Sequence, residues 1–174
     1  MSDLNRYLDI VIDCIIIPNV NNIEDLKIIK ENVYYPPNGS RGVGLSRANQ
    51  FGDNFKSYFN KISKKIEIIS IIESKEAVQN LDSILKYKYL DGIMIGPYDL
   101  SSSLGIPGRF DSPIFKANLE IIEKKTNKTK KFLGIHVVEP EKKLINNYLR
   151  KNYTFLIYSL DTILIKKAID NLLS

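Results

Sequence analysis

Five short apolar runs punctuate the chain, and the stretches between them repeat apolar residues at helical spacing. The first run, Ile12 to Ile17, must end at Pro18, which has no N–H to give to a strand ladder. Ile66 to Ile72, Asp91 to Ile95, Phe132 to Val138 and Tyr153 to Tyr158 follow, with the near-continuous β-branched character of parallel strands buried on both faces. Ahead of the first run, Leu4, Tyr7, Leu8 and Ile10 predict the last turns of a helix. Asn21 with Glu24 reads as a capping box opening a helix through Asn32, with Ile23, Leu26 and Ile29 inward. Phe55, Tyr58, Phe59 and Ile62 predict a helix over 53–65, an aromatic stripe that belongs to core packing. Ala77, Val78, Leu81, Ile84 and Leu85 predict another over 74–87. Asp111-Ser112-Pro113 starts a helix that buries Ile114, Phe115, Leu119 and Ile122, with proline acceptable at its first position. Helices over 140–149 and 161–172 complete the pattern.

Strand followed by helix, five times over, is the signature of a parallel sheet with right-handed crossovers, and the length of 174 residues fits one α/β domain over 1–174. A closed barrel of such units needs eight of them in about 250 residues, so five fall short by three. Between the first two units, Tyr34 to Gly44 holds two prolines and three glycines and cannot be regular structure. Its tyrosines and Val43 mark it as an ordered loop, and long ordered loops in compact domains are usually functional. Arg41 and Arg47 are therefore candidate anion contacts, against the plainer role of bonding loop carbonyls.

Composition narrows the class. The net charge of +5 admits an anionic partner, but the densest lysine cluster, Lys124 to Lys131, has no interleaved aromatics and reads as a solvated loop, so nucleic acid is not expected. Cys14 is the sole cysteine and sits in an apolar run, which excludes an intramolecular disulfide and suits a reducing compartment. No 18-residue apolar window and no signal-peptide pattern is present, so the expectation is a cytoplasmic protein with no membrane contact.

The chemistry lies at two strand ends. Ile69 to Ser74 and Ile93 to Gly105 both run from an apolar strand into a carboxylate, Glu73 and Asp99. In open α/β sheets and in (β/α) barrels ligands bind at the carboxyl rim, so both side chains project toward a common site. Two carboxylates there suit a hard divalent cation that keeps positions open for substrate and water. A 2-oxo acid chelates such a metal, which then stabilises the enolate formed when a C–C bond breaks. Gly96 leaves the turn open, so the N–H groups of Tyr98 and Asp99 are free to meet an anion. His136, the only histidine, lies on the fourth strand as a candidate base or, more plainly, a satisfied core residue. Glu139 stands at the rim end of the same strand.

Read in order, Tyr35 to Gly44, Ile72 to Val78, Asn80-Leu81 and Asp91 to Ser101 closely resemble the HpcH/HpaI family of class II pyruvate aldolases. Ile17 to Val20 and Ser159 to Thr162 fall where that pattern expects them. The resemblance implies a TIM barrel, here partial, with five units from its C-terminal part and the first three absent. It implies a divalent metal (magnesium or manganese, with cobalt a further option) on Glu73 and Asp99, and a pyruvate-like 2-oxo acid held by Gly96, Pro97, Tyr98 and Asp99. The reaction implied is cleavage of a 4-hydroxy-2-oxo acid to pyruvate and an aldehyde, and the alternatives are a non-catalytic homologue that keeps the site or one subunit of a split aldolase. The family's proton-transfer histidine and enolate-stabilising arginine fall outside these 174 positions, so no catalytic residue is carried over. Members are commonly hexamers that exchange C-terminal helices, which implies a homo-oligomer or a complementing chain. Ile71 stands where many members place a substrate-contacting glutamine, and Val11 and Cys14 replace family glycines. At a positive φ, a β-branched residue such as Val11 costs about 1 kcal/mol.

Overall fold

The computed structural model describes residues 2–173. Helix α1 (Ser2–Leu8) leads into β1 (Cys14–Ile17) and α2 (Ile23–Val33). After a long loop and an irregular helical segment containing α3 (Phe55–Ser57), the chain enters β2 (Glu67–Ile72) and then α4 (Lys75–Gln79) and α5 (Leu81–Lys86). The remainder is β3 (Gly92–Ile95), α6 (Pro97–Ser103), α7 (Pro113–Thr126), β4 (Phe132–Val137), α8 (Lys142–Arg150), β5 (Phe155–Tyr158) and α9 (Asp161–Leu173). The strands of the described residues form one parallel sheet in the order β1-β2-β3-β4-β5, curled into a half-barrel with helices outside it, as the five-unit reading of the sequence expects. Among the described residues no helix is long and apolar enough to cross a membrane.

Strand alternation divides the sheet into two faces. Ile68, Ile72, Ile93, Ile95, Leu133, Ile135 and Val137 pack against Leu26, Ala77, Leu81, Ile84, Phe115 and Ile122 of the helices, forming the main core. The intervening positions Ile69, Ile71, Met94, Gly134 and His136 take the inner face. Both edges of the sheet are open: β1 pairs only with β2 and β5 only with β4 among the described residues. Along β1 an apolar groove of about 620 Å³ runs between the strand and Leu4, Tyr7 and Ile29.

The long loop is ordered by Arg41. Its guanidinium is only 3% exposed, donates to Asp9 Oδ1 (2.8 Å) and to the Tyr58 hydroxyl (3.2 Å), and lies 4.7 Å from the centre of the Tyr35 ring. Tyr58 in turn donates to the Leu8 carbonyl (3.2 Å). Arg41 thus has the plainer of its two roles, tying the loop to the end of α1, and the anion-contact reading does not hold for it; Arg47 lies exposed on a separate turn. The lysines of 124–131 also have internal partners. Lys131 donates to the carbonyls of Tyr87 (3.0 Å) and Leu90, and burial lowers its pKa, while Lys125 pairs with Asp82 (2.8 Å).

Four local readings of the sequence are corrected. The cap of α2 is Asn22, whose side chain accepts from the N–H groups of Glu24 and Asp25, with Asp25 reaching back to complete the box. The segment 53–65 is not one regular helix but α3, a π turn over Tyr58–Ile62 and a 3-10 turn over Ser63–Lys65. Asn60 and Ser63 bond back to the carbonyls of Lys56 and Phe59 there, competing with the regular ladder. The helix over 74–87 breaks at Asn80, whose side-chain amide donates to the Asn21 carbonyl (3.0 Å). Ile114 is 53% exposed, because the buried face of α7 follows Phe115, Ile122 and Thr126 instead.

Val11 adopts φ 70°. A β-branched residue there is strained, and its side chain, 55% exposed, has little packing to lose. Val11→Gly is therefore expected to stabilise the protein by about 1 kcal/mol in urea unfolding; a loss of stability would show that the side chain, not the backbone, dominates at this position. Cys14 is partly buried, and desolvation first, then Glu67, Asp91 and Asp13, push its pKa up to about 11. Because the thiolate is the reactive form, alkylation at pH 8 should run roughly two hundredfold slower than for a free thiol of pKa about 8.5 and should keep rising about tenfold per pH unit up to about pH 11, where a free thiol has already levelled off.

Candidate active site

Parallel pairing carries Glu73 and Asp99 to the same rim. Ile72 lies beside Ile95, and Glu73 follows the one as Gly96 follows the other. Gly96 caps α6, Pro97 takes the first helical position, and the Leu100 N–H closes on the Gly96 carbonyl (2.9 Å). The N–H groups of Tyr98 and Asp99 in the turn before it have no intrahelical acceptor. A Cβ at Gly96 would stand 3.1 Å from Ile71 Cγ2, 3.2 Å from Glu73 Cβ and 3.3 Å from Glu73 Oε2, so glycine keeps this space clear beside the carboxylate.

Glu73 and Asp99 line one cleft of about 310 Å³ together with Pro18, Asn19, Asn21 and Ser74. The loop after β1 is drawn to the end of β2 by a set of hydrogen bonds. Asn19, at φ 58°, donates its N–H to Glu73 Oε1 (2.6 Å). Ser74 caps α4 by accepting from the Ala77 N–H (3.0 Å) and donates its own hydroxyl to Asn21. On the other side, the Lys75 N–H donates to Ser103 Oγ (2.9 Å), which fastens the end of β2 to α6. Ser101, fully buried, donates to the Tyr98 carbonyl (2.8 Å) and accepts from Gly108 (2.9 Å), fixing the turn from within.

Glu73 and Asp99 both line this cleft, and the sequence reading missed Asn19, Asn21 and Ser74 as its frame. Asn19 directly after the strand-ending proline was the available signal, since asparagine tolerates left-handed backbone. Tyr98, half-exposed, packs edge-on against Phe110 at 4.9 Å. It lines a second cleft, about 270 Å³, with Pro97, Phe110, Phe115, His136, Glu139 and Tyr148 among its walls. Glu139 is exposed and paired with Lys167 (2.9 Å). Among the described residues no cluster of three or more His, Cys, Asp or Glu side chains is placed to hold a metal ion, so the carboxylates of the first cleft are a pair.

The family model described as HpcH/HpaI aldolase/citrate lyase matches residues 1–168. The chain belongs to this family. A 2-keto-3-deoxy-L-rhamnonate aldolase of Salmonella paratyphi A (strain ATCC 9150 / SARB42) is 33% identical over 170 residues, which are 97% of this chain and 62% of that protein. The crystal structure of an HpcH/HpaI aldolase from Desulfitobacterium hafniense DCB-2 superposes with a TM-score of 0.86 at 25% identity, covering 98% of this chain and 66% of that one. A family protein of Burkholderia cenocepacia J2315 reaches 0.90 at 22% identity over 98% of this chain and 67% of its own, a likeness of fold. The chain thus spans about 62% of the length of the curated relative it matches.

Proposed function

We propose that the protein provides the metal and 2-oxo-acid half of an aldolase site, in which a 4-hydroxy-2-oxo acid is cleaved to pyruvate and an aldehyde. The observation that carries this reading is the convergence of Glu73 and Asp99 on one cleft at the carboxyl ends of adjacent parallel strands. Relatives named as 2-keto-3-deoxy-L-rhamnonate aldolases point to the same substrate class.

The donor set fits a divalent metal. Both carboxylates offer oxygen, the neighbouring Asn19, Asn21 and Ser74 add only amide and hydroxyl groups, and neither sulfur nor imidazole lines the cleft. Glu73 and Asp99 would hold magnesium or manganese. Bound there, the cation supplies positive charge against the negative charge that develops on the keto oxygen as the C–C bond breaks. The chain's own part is positioning. The free N–H groups of Tyr98 and Asp99 receive the substrate carboxylate, and Gly96 leaves it room. Asn19 restrains one oxygen of Glu73 so that the other is the one offered. Ile71, on the inner face beneath Gly96, gives the substrate an apolar wall where many relatives offer an amide.

Five units leave this site open on the inner side of a half-barrel, with unpaired edges at β1 and β5. Unpaired edges favour further strand pairing, and the apolar groove along β1 suits an added β/α unit. Helix α9 keeps Leu164, Ile165, Ile169 and Leu172 exposed, Ile165 at 60%, which suits docking on another copy of the chain. We therefore read residues 1–174 as functioning within a completed barrel, whether in one polypeptide or by association.

Two measurements test this. Mn²⁺ binding, followed by electron paramagnetic resonance, should weaken by about tenfold or more in Glu73→Gln and in Asp99→Asn, equivalent to about 1.4 kcal/mol or more; unchanged affinity removes the metal assignment. Residues 1–174 alone, with Mn²⁺, should release pyruvate from a 4-hydroxy-2-oxo acid only slowly. Turnover of about 1 per second or faster, within the usual enzyme range, would overturn the need for a completed barrel.

A further inference from the structure

The turns that lead into β3, β4 and β5 lie at the amino ends of those strands, away from the rim that carries Glu73 and Asp99, and they form one basic surface. Residues 86–91, 124–131 and 150–154 hold nine lysines and arginines and a single carboxylate, Asp91, which accepts from the Ile68 N–H (2.8 Å). Hydrogen bonds keep these turns side by side. Lys131 reaches across to the carbonyls of Tyr87 (3.0 Å) and Leu90, and the Phe132 N–H donates to the Asp91 carbonyl (2.9 Å). Asn127 donates its side-chain amide to the Lys151 carbonyl (3.3 Å). Asp82 registers the crowding of cations: the hydrogen bond from Lys125 first, then the charges of Lys125, Lys86 and Lys128, hold its carboxyl below the ordinary range.

Part of this charge serves the fold. Lys86, Lys124, Lys125 and Arg150 stand in the last turns of their helices, where a cation complements the negative end of the helix dipole. Lys124 pairs with Glu120, Lys125 with Asp82 and Lys151 with Glu123. Lys88, Lys128 and Lys130 lie beyond the helices and are exposed, with no carboxylate partner among the described residues. Aromatic rings stand among them. Along the chain 124–131 contains none, but in space the run Lys86-Tyr87-Lys88-Tyr89 lies against it, and Phe132, 37% exposed, follows it directly. Lys88 sits 4.7 Å from the centre of the Tyr89 ring, and Lys30, 5.3 Å from the same ring, extends the surface onto the end of α2. Tyr87 is half-buried beside Tyr89, their ring centres 5.9 Å apart.

We propose that this face binds single-stranded nucleic acid. Exposed ammonium groups meet phosphates and release the counterions held there, so affinity falls steeply as salt rises. Cations alternating with rings suit a strand whose bases are unpaired, because each base has a face to lay on Tyr87 or Phe132, whereas a duplex keeps its bases stacked inside. Lys88, Lys128 and Lys130 supply the charge that no helix end or carboxylate has claimed. The strand lies at the opposite end of the sheet from Glu73 and Asp99, so it leaves their cleft open, and the inference stands apart from the function proposed for that cleft.

The test titrates residues 1–174 into a fluorescently labelled oligouridine of about twenty nucleotides and follows anisotropy. Three neutralised phosphates give a slope of about −2 in log affinity against log salt, so binding should weaken at least tenfold between about 50 and 200 mM salt. Lys88→Gln combined with Lys128→Gln should bind at least fivefold more weakly than the wild type. Lys142→Gln combined with Lys143→Gln makes the same change of charge at the rim end of α8 and should bind within twofold of the wild type. Tyr87→Leu should lose at least fivefold, the low end of what stacking of one base contributes, while Tyr87→Phe, which keeps the ring, should bind as the wild type does. No binding at about 50 mM salt, or equal losses in the two lysine pairs, overturns the proposal. So does Tyr87→Leu binding within twofold of the wild type, a duplex of the same length bound as tightly as the single strand, or binding to phosphatidylserine vesicles without binding to the oligonucleotide.

Discussion

Parallel pairing of β2 with β3 sets Ile72 beside Ile95, and the arrangement at the rim depends on that register. A slip of one residue would turn Glu73 into the helix-packed core and bring an isoleucine to the cleft, because side chains alternate with a period of two. Burial on both faces holds the register. Ile68, Ile72, Ile93 and Ile95 are sealed under α4, α5 and α7, while Ile69 and Met94 are buried on the inner face. The carboxylate pair is thus positioned by apolar strands behind it rather than by any direct contact between the two acids.

The loops then refine what the strands deliver. Asn19, Asn21, Ser74, Asn80 and Ser103 link the ends of β1, β2 and β3 through short polar side chains and backbone N–H groups. These bonds cross between consecutive β/α units and tie the rim together where the sheet itself is open at both sides. The same logic explains Arg41. Its buried fork joins loop, α1 and the Tyr35–Tyr58 cluster, a structural duty.

Much of this was legible in the residues. Five parallel strands could be read because each is apolar on both faces, and Glu73 and Asp99 could be placed together because parallel strands end at one rim. The helix over 53–65 was legible as helical but not as irregular, since its path answers to Tyr58 reaching Leu8, fifty positions away, and to back-bonding by Asn60 and Ser63. The break at Asn80 and the bond from Asn19 to Glu73 were illegible for a similar reason: both join residues more than fifty positions apart, through groups that carry no periodic signal. The cap of α2 slipped by one residue because Asn21 and Asn22 are adjacent and both chemically suited; only geometry selects between them. The strain at Val11 was anticipated through the family pattern of glycines and not through any local pattern of its own.

The most direct test is crystallographic. Crystals of the protein soaked with Mn²⁺ and pyruvate, measured near the manganese absorption edge, should give one strong anomalous peak between the Glu73 and Asp99 carboxylates, with the pyruvate carboxylate against the turn at Gly96 to Asp99. A peak elsewhere, or pyruvate density away from that turn, would contradict the assignment of this rim as the site.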